Sequence, residues 1–177
     1  MRKVLFIMSQ LSDEDVDWMA GQGERLRLEA GQRLIELNSR VDSLYIVIDG
    51  LLEVNAAGNA RLAELGSGEV IGDMTLVDPA PTSVSVSTLI PSLLLRLPMD
   101  TLRTKLAADI PFAARLYRAL ATFLADRLRN TTRRMGQGAA PAGSDQEAKL
   151  EDLNEDLLDN VHLAGARFDR MLKKLAG

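Results

Sequence analysis

The sequence contains no cysteine and a single histidine, His162. The first absence excludes a disulfide framework, a thiol nucleophile, an iron–sulfur centre and any zinc site built on thiolates. The second excludes multi-histidine metal sites and leaves any catalytic triad dependent on one imidazole. A carboxylate-rich site for a hard cation remains chemically open. No apolar run approaches the roughly 18 to 20 residues that a membrane span needs. Arg2 and Lys3 precede only the five apolar residues Val4 to Met8, shorter than the apolar stretch of a secretory leader. The expectation is a cytoplasmic protein without a membrane partner. Nor does charge of one sign dominate: 21 basic side chains face 25 acidic ones, for a net charge of −4. What is present, 177 residues of which 46% are hydrophobic, suffices for an ordinary folded domain with a real core.

From Glu24 to Leu97 the chain is cut into short apolar segments by glycines 31, 50, 58, 66, 68 and 72. Such punctuation marks strands. Ser43 to Ile48 meets Asp49-Gly50, which tolerates positive φ, and Leu51 to Val54 is expected to return as a hairpin partner. Ser83 to Leu89 alternates valines with small hydroxyls before Pro91 turns the chain into Leu93 to Leu97. The pattern predicts an α+β protein with seven or eight short antiparallel strands closed into a β-roll. Ahead of the strands, Ser12 followed by Asp13, Glu14 and Asp15 is an N-cap with acids suited to a helix dipole. Val16 and Met19 supply that helix's apolar stripe, and Trp18 is expected to pack it onto the roll.

After Pro98 the period becomes 3.6. Phe112, Leu116, Leu120, Phe123, Leu124 and Leu128 share one stripe, with Pro111 in a first turn, and the long helix is expected to run to about Met135. Gly136 to Gly143 breaks every period and reads as a flexible linker. Ser144 with Glu147 fits a capping box. A last amphipathic helix then carries Leu150, Leu153, Leu157, Val161, Ala164, Phe168, Met171 and Leu175. The expected division is 1–135 for the domain with its long helix, 136–143 for the linker and 144–177 for the acidic C-terminal helix.

The most informative stretch is Leu65-Gly66-Ser67-Gly68-Glu69-Val70-Ile71-Gly72-Asp73-Met74-Thr75-Leu76-Val77-Asp78-Pro79-Ala80-Pro81-Thr82-Ser83-Val84. A strand ends at a glycine, a polar turn follows, and a short helical turn starts near Asp73. Backbone N–H groups directed into one concavity form a nest for a phosphate or carboxylate. The residues alone leave a plain hairpin connection equally open.

Taken with the Leu-Ser-Asp-Glu-Asp segment from Leu11, Ala30-Gly31-Gln32 and Asp42 to Gly50, the Gly-Asp-Met-Thr-Leu cassette resembles the cyclic-nucleotide-binding domain of the cAMP receptor protein and protein kinase A regulatory-subunit superfamily. The resemblance runs from about Leu11 to Arg134 and implies a β-roll, a phosphate-binding cassette and a long helix that dimerises in the bacterial regulators. It places a ligand pocket at Gly72, Asp73, Met74, Thr82 and Ser83, with Thr131 and Thr132 on the long helix where the family sets hydroxyls against the adenine. Two positions depart from the family. Asp73 stands where a glutamate binds the ribose hydroxyl, and Thr82 follows Pro81 where an arginine pairs with the cyclic phosphate. An arginine–phosphate contact contributes on the order of 1.5–3 kcal/mol. The cassette is therefore expected to be degenerate, with cAMP or cGMP at reduced affinity or another small anion as its ligand.

No residue pattern supports an enzyme: His162 lacks partner groups, and Asp13, Glu14, Asp15 and Asp17 read as a solvated first turn. DNA binding needs a helix-turn-helix, and the last 34 residues offer one helix whose first half, Asp145 to Asp159, has seven acids against Lys149, a charge that repels phosphates. Between Phe112 and Arg134 lie six arginines and one acid, Asp126. The acidic helix can dock on the basic one, within a chain or across a dimer, or both faces can be solvated independently. Three functions follow as expectations. They are a dimeric regulatory or adaptor module with an unidentified protein partner, a genuine cAMP or cGMP sensor, and a purely structural assembly protein.

Overall fold

The computed structural model describes residues 2–136 and 155–176. Its strands are β1 (Glu24–Leu28), β2 (Arg33–Ile35), β3 (Ser43–Asp49), β4 (Leu51–Asn55), β5 (Arg61–Gly66), β6 (Val70–Ile71), β7 (Ser85–Thr88) and β8 (Ser92–Pro98). They form two four-stranded sheets, in the orders β1-β8-β3-β6 and β2-β7-β4-β5, with every described pairing antiparallel. The expected β-roll is present. Successive side chains leave a strand on opposite faces, and β3 shows the division. Tyr45 and Val47 enter the space between the sheets with Ile35, Leu52, Leu65, Ile71, Val86 and Leu94. Leu44 and Ile46 join Leu95 and Leu97 on the other face, in a second core shared with the helices.

The expected hairpin at Asp49-Gly50 is not formed. β3 and β4 are consecutive but lie in different sheets, and each pairs with a strand of the 85–98 segment: β3 with β8, β4 with β7. Gly50 (φ +115°) is the corner between the sheets, and a Cβ there would lie 2.2 Å from Ser92 Oγ. The two corners press on each other, so the first can be built only from glycine. Positive φ suits a sheet-to-sheet corner as well as a reverse turn.

The helices are α1 (Arg2–Gln10), α2 (Asp13–Gln22), α3 (Asp73–Val77), α4 (Met99–Ala108), α5 (Ile110–Gly136) and α6 (Glu155–Ala176). Ser12 caps α2 as expected: its Oγ accepts from Asp15 N–H, and the Asp15 carboxylate accepts from Ser12 N–H at 2.7 Å, a reciprocal capping box. The long helix is divided from α4 at Asp109, whose carboxylate accepts from Phe112 N–H at 2.9 Å. Trp18 meets α5 rather than the roll, packing edge-on to Phe112 at 5.5 Å between ring centroids.

The helical layer differs from the expectation in two ways. Residues 2–8 belong to α1, which buries Val4, Ile7 and Met8. The stripe expected to face a second chain is partly closed inside this one: Phe112, Leu116 and Leu120 are at most 1% exposed, in one core with residues of α1, α2 and α6. The C-terminal helix docks on the α1–α2 hairpin through Ala164, Phe168, Met171 and Leu175. Burial of such side chains contributes roughly 1.5–3 kcal/mol each for the larger ones, before the entropy of ordering them. Residues 137–143 of the expected linker, the Ser144 and Glu147 cap, Leu150 and Leu153 lie outside the described residues, as do the side chains of Leu157, Val161 and His162.

Charge complementarity joins α6 to α2, while the acidic stretch expected to dock on the long helix lies outside the described side chains. The basic half of α6 meets the acids of α2: Arg167 Nε is 2.6 Å from Asp13 Oδ1, Arg170 Nε 2.7 Å from Asp17 Oδ1 and Lys174 Nζ 3.1 Å from the same oxygen. Arg167 also donates to the Met8 carbonyl at 3.1 Å, capping the last turn of α1. Asp15, only 4% exposed at its side chain, takes a bidentate pair from Arg115 of α5 at 2.7 and 2.9 Å. Three of the four acids read as solvated are therefore anchors. The regular alternation of aspartate at 13, 15 and 17 divides them between two partner helices, because successive residues lie about 100° apart around the axis.

Candidate functional site

The cassette is built at the point where β5 hands the chain to sheet one. Gly68 N–H donates to Val47 O at 2.7 Å and Val47 N–H to Glu69 O at 2.9 Å, zipping the polar turn onto β3. β6 pairs Val70 and Ile71 with Ile46 and Tyr45, and Gly72 (φ +88°) is the N-cap of α3. A Cβ on Gly72 would approach Ser43 O to 2.6 Å and Val41 Cγ1 to 3.2 Å. Glycine is required here by both the left-handed backbone and the close approach to β3. The expected helical turn from Asp73 is present. Asp73 is 3% exposed and Leu76 is buried in the helix-side core, whereas Met74 and Val77 are each 63% exposed, so α3 turns its acid and Leu76 inward and Met74 and Val77 outward.

The far end of the cassette is tied to the same segment of chain. Asn38 N–H donates to Thr82 O at 2.8 Å and Thr82 N–H to Ser39 O at 2.9 Å. Residues 38–44 thus anchor both Gly72 and Thr82, a role that sequence inspection missed although Asp42 to Gly50 had been noted. Beside that anchor, Ser43 Oγ donates to Asp42 Oδ1 at 2.8 Å and accepts from Arg96 Nε at 3.0 Å. Burial pushes the Tyr45 hydroxyl above its ordinary value, and the Asp42 charge pushes it further the same way.

The Thr82 hydroxyl is used locally. It donates to Val84 O at 3.1 Å and accepts from Val84 N–H at 3.2 Å. Ser83 is exposed. Across Gly66 to Thr88 there is no lysine or arginine, against three acids, Glu69, Asp73 and Asp78. The cation that does reach α3 is Arg103 of α4, which donates to Thr75 O at 3.3 Å. It touches a carbonyl, the opposite polarity to the amides that would cradle a phosphate. The 66–88 stretch itself therefore supplies no cationic side chain to pair with a phosphate. Thr132 stands on exposed α5 with its hydroxyl donating to Leu128 O at 3.0 Å, and the Thr131 side chain lies outside the described residues. Gly72, Asp73, Met74, Thr82 and Ser83 are gathered by one turn and its return loop.

Comparison with known proteins agrees with this architecture. Residues 25–109 match the family model described as the cyclic nucleotide-binding domain. A solved cyclic nucleotide-binding domain from Methylobacillus flagellatus superposes with a TM-score of 0.68 at 21% identity, over 80% of this chain and 85% of that one. Among curated proteins, an uncharacterized NTE family protein of Mycobacterium tuberculosis is 30% identical over 118 residues, 67% of this chain and 20% of that protein. Glutaminase 2 of Bradyrhizobium diazoefficiens is 27% identical over 122 residues, 69% of this chain and 19% of that protein. The chain spans about a fifth of the length of these curated relatives. No described helix is long and apolar enough to cross a membrane. Residues 25–109, where cassette, anchor segment and nearly all of both sheets lie, are by this match a cyclic nucleotide-binding domain.

Proposed function

We propose that the chain is a non-enzymatic regulatory or adaptor module whose cassette has lost tight binding of a cyclic nucleotide. The observation that carries this reading is Thr82: it stands where the resemblance calls for an arginine, and its hydroxyl is spent on Val84. Three acids with no base across the cassette make an anion still less welcome. Titration of the full chain with cAMP and with cGMP by calorimetry tests it. No saturable binding is expected below about 100 μM, and Thr82→Arg is expected to gain about tenfold or more in affinity, in line with a restored charge-assisted contact. Tight binding to the unaltered chain would overturn the reading and favour the sensor alternative, to which Gly72 and its left-handed cap lend support.

The module is proposed to act as a homodimer through a stripe of α5 other than the one first expected. Ile110, Ala114, Tyr117, Ala121, Leu124 and Leu128 recur at alternating spacings of four and three, the repeat of a coiled-coil seam. Ile110 and Leu128 are each 68% exposed and Tyr117 is 43% exposed. The arrangement of 1–135 as the module and 144–177 as its arm is kept, with the arm folded back by α6.

A further inference from the structure

We infer that α6 regulates the α5 seam: its docking on α2 sets how α5 is presented to a second chain. This rests on the proposed seam, and the measurements below separate the two. α2 is the shared part. Asp13 and Asp17 hold Arg167, Arg170 and Lys174 of α6, and Asp15, two residues from each neighbour in the series, holds Arg115 of α5. Arg115 is flanked by Ala114 and stands two residues before Tyr117, both seam positions. The fork-to-fork contact with Asp15 therefore fixes the rotation of α5 about its own axis where the seam begins. The capping box binds Asp15 to Ser12, so the first turn of α2 cannot shift under α6 while Arg115 stays in place. The apolar contacts repeat the connection. α1 packs on both α5 and α6, and Val4, Ile7 and Met8 share one core with Leu116, Leu120, Phe168 and Met171.

The two ionic contacts differ in a way that suits regulation. Asp15 is nearly inaccessible, whereas Arg170 and Lys174 are 50% and 47% exposed at their side chains. The α6 contact is open to solvent, salt and competitors, while the α5 contact is sheltered and transmits position. A seam made only of Ile110, Ala114, Tyr117, Ala121, Leu124 and Leu128 would be insensitive to moderate salt, because burial of apolar groups carries no screened charge. Coupling through α2 makes the dimer sensitive to groups that never touch the second chain.

The test uses the full chain carrying Arg170→Glu and Lys174→Glu, with Asp17→Lys added as a charge-reversed rescue. The dimer dissociation constant is measured by dilution in light scattering, and hydrogen exchange is followed in residues 110–120. The double variant is expected to weaken the dimer by about tenfold, within the range of ordinary coupling energies, and to speed exchange in 110–120. The rescue should recover both, and the unaltered chain should lose dimer affinity as salt rises. A dimer of unchanged affinity and exchange in the double variant would overturn the inference and leave the seam intact. If the unaltered chain is a monomer, the seam reading fails, and unchanged exchange in 110–120 would then overturn the coupling as well.

Discussion

The cassette and the helical layer share a core, through Val70 and Leu76, yet they are held together differently. Around the cassette, backbone contacts decide the geometry: Gly72 against the Ser43 carbonyl, Thr82 paired with Asn38 and Ser39, and a turn zipped to Val47. In the helical layer, side chains decide it, through buried apolar residues from five helices and carboxylates shared out among guanidinium groups. A backbone-built loop tolerates changes in the side chains it displays, because its shape does not depend on them. A side-chain-built layer does not. The difference explains how the position after Pro81 can hold threonine without disturbing the fold.

The comparison is broken most directly at Phe112, fully buried and packed edge-on to Trp18. Phe112→Ala should cost about 3–5 kcal/mol and lower the melting temperature in calorimetry by about 10 °C or more. A smaller loss would show that the helical layer can collapse around the gap. Next in size, Gly72→Ala forces an L residue to φ +88° beside a backbone carbonyl. At least about 1–2 kcal/mol is expected from the left-handed conformation alone, with faster exchange at Asp73 to Val77 measured by mass spectrometry. Thr82→Ala at the other end of the same loop should be the milder change; equal damage from the two would contradict a backbone-built cassette.

The smallest effect sharpens the comparison through pH. Burial alone would raise the Asp15 carboxyl, but the Arg115 hydrogen bonds, with those of Ser12, hold it below the usual carboxylate range. The Arg170 hydrogen bond is the main cause of the lowered value at Asp17, and the Lys105 hydrogen bond at Asp109. A depressed folded value means that the stabilisation is complete above the unfolded value of 3.8 and is lost as pH falls below it through the folded value. Thermal unfolding followed from pH 7 downward should hold steady to about pH 5 and then fall. Asp15→Asn should lower the plateau and flatten the acid limb, and an unchanged acid limb would show that Asp15 is not a principal acid-sensitive anchor.

How much of this could be read from residues alone varies with the range of the interactions. Strand positions followed from glycine punctuation and alternation, both local. The N-cap of α2 was legible because Ser12 and the acids after it lie within one turn, although the reciprocal bond from Asp15 back to Ser12 was not read. The corner at Gly50 was not, since a pair that permits positive φ says nothing of which strand lies beside it; only Ser92, far along the chain, decides that. α1 was hidden for the same reason. Five apolar residues make a helix worth forming only when α5 and α6 are there to cover them. At the candidate site, Gly72, Asp73 and Thr82 could be located from the family pattern. Their anchor at residues 38–44, and the local use of the Thr82 hydroxyl, depend on backbone geometry that no motif encodes.

Arg167 donates to the carbonyl of Met8 across 159 positions of sequence. During synthesis, at about 5–20 residues per second, α1 must wait on the order of 10–30 s for the helix that covers it. Late in that interval, once β8 has been made, the roll can close, while Val4, Ile7 and Met8 lack the part of their cover that α6 supplies. The nascent chain thus has a long period in which a finished sheet stands beside an unfinished apolar hairpin, the kind of surface that chaperones bind. Expression yield should accordingly respond to changes in α6 that leave the purified protein's cassette untouched.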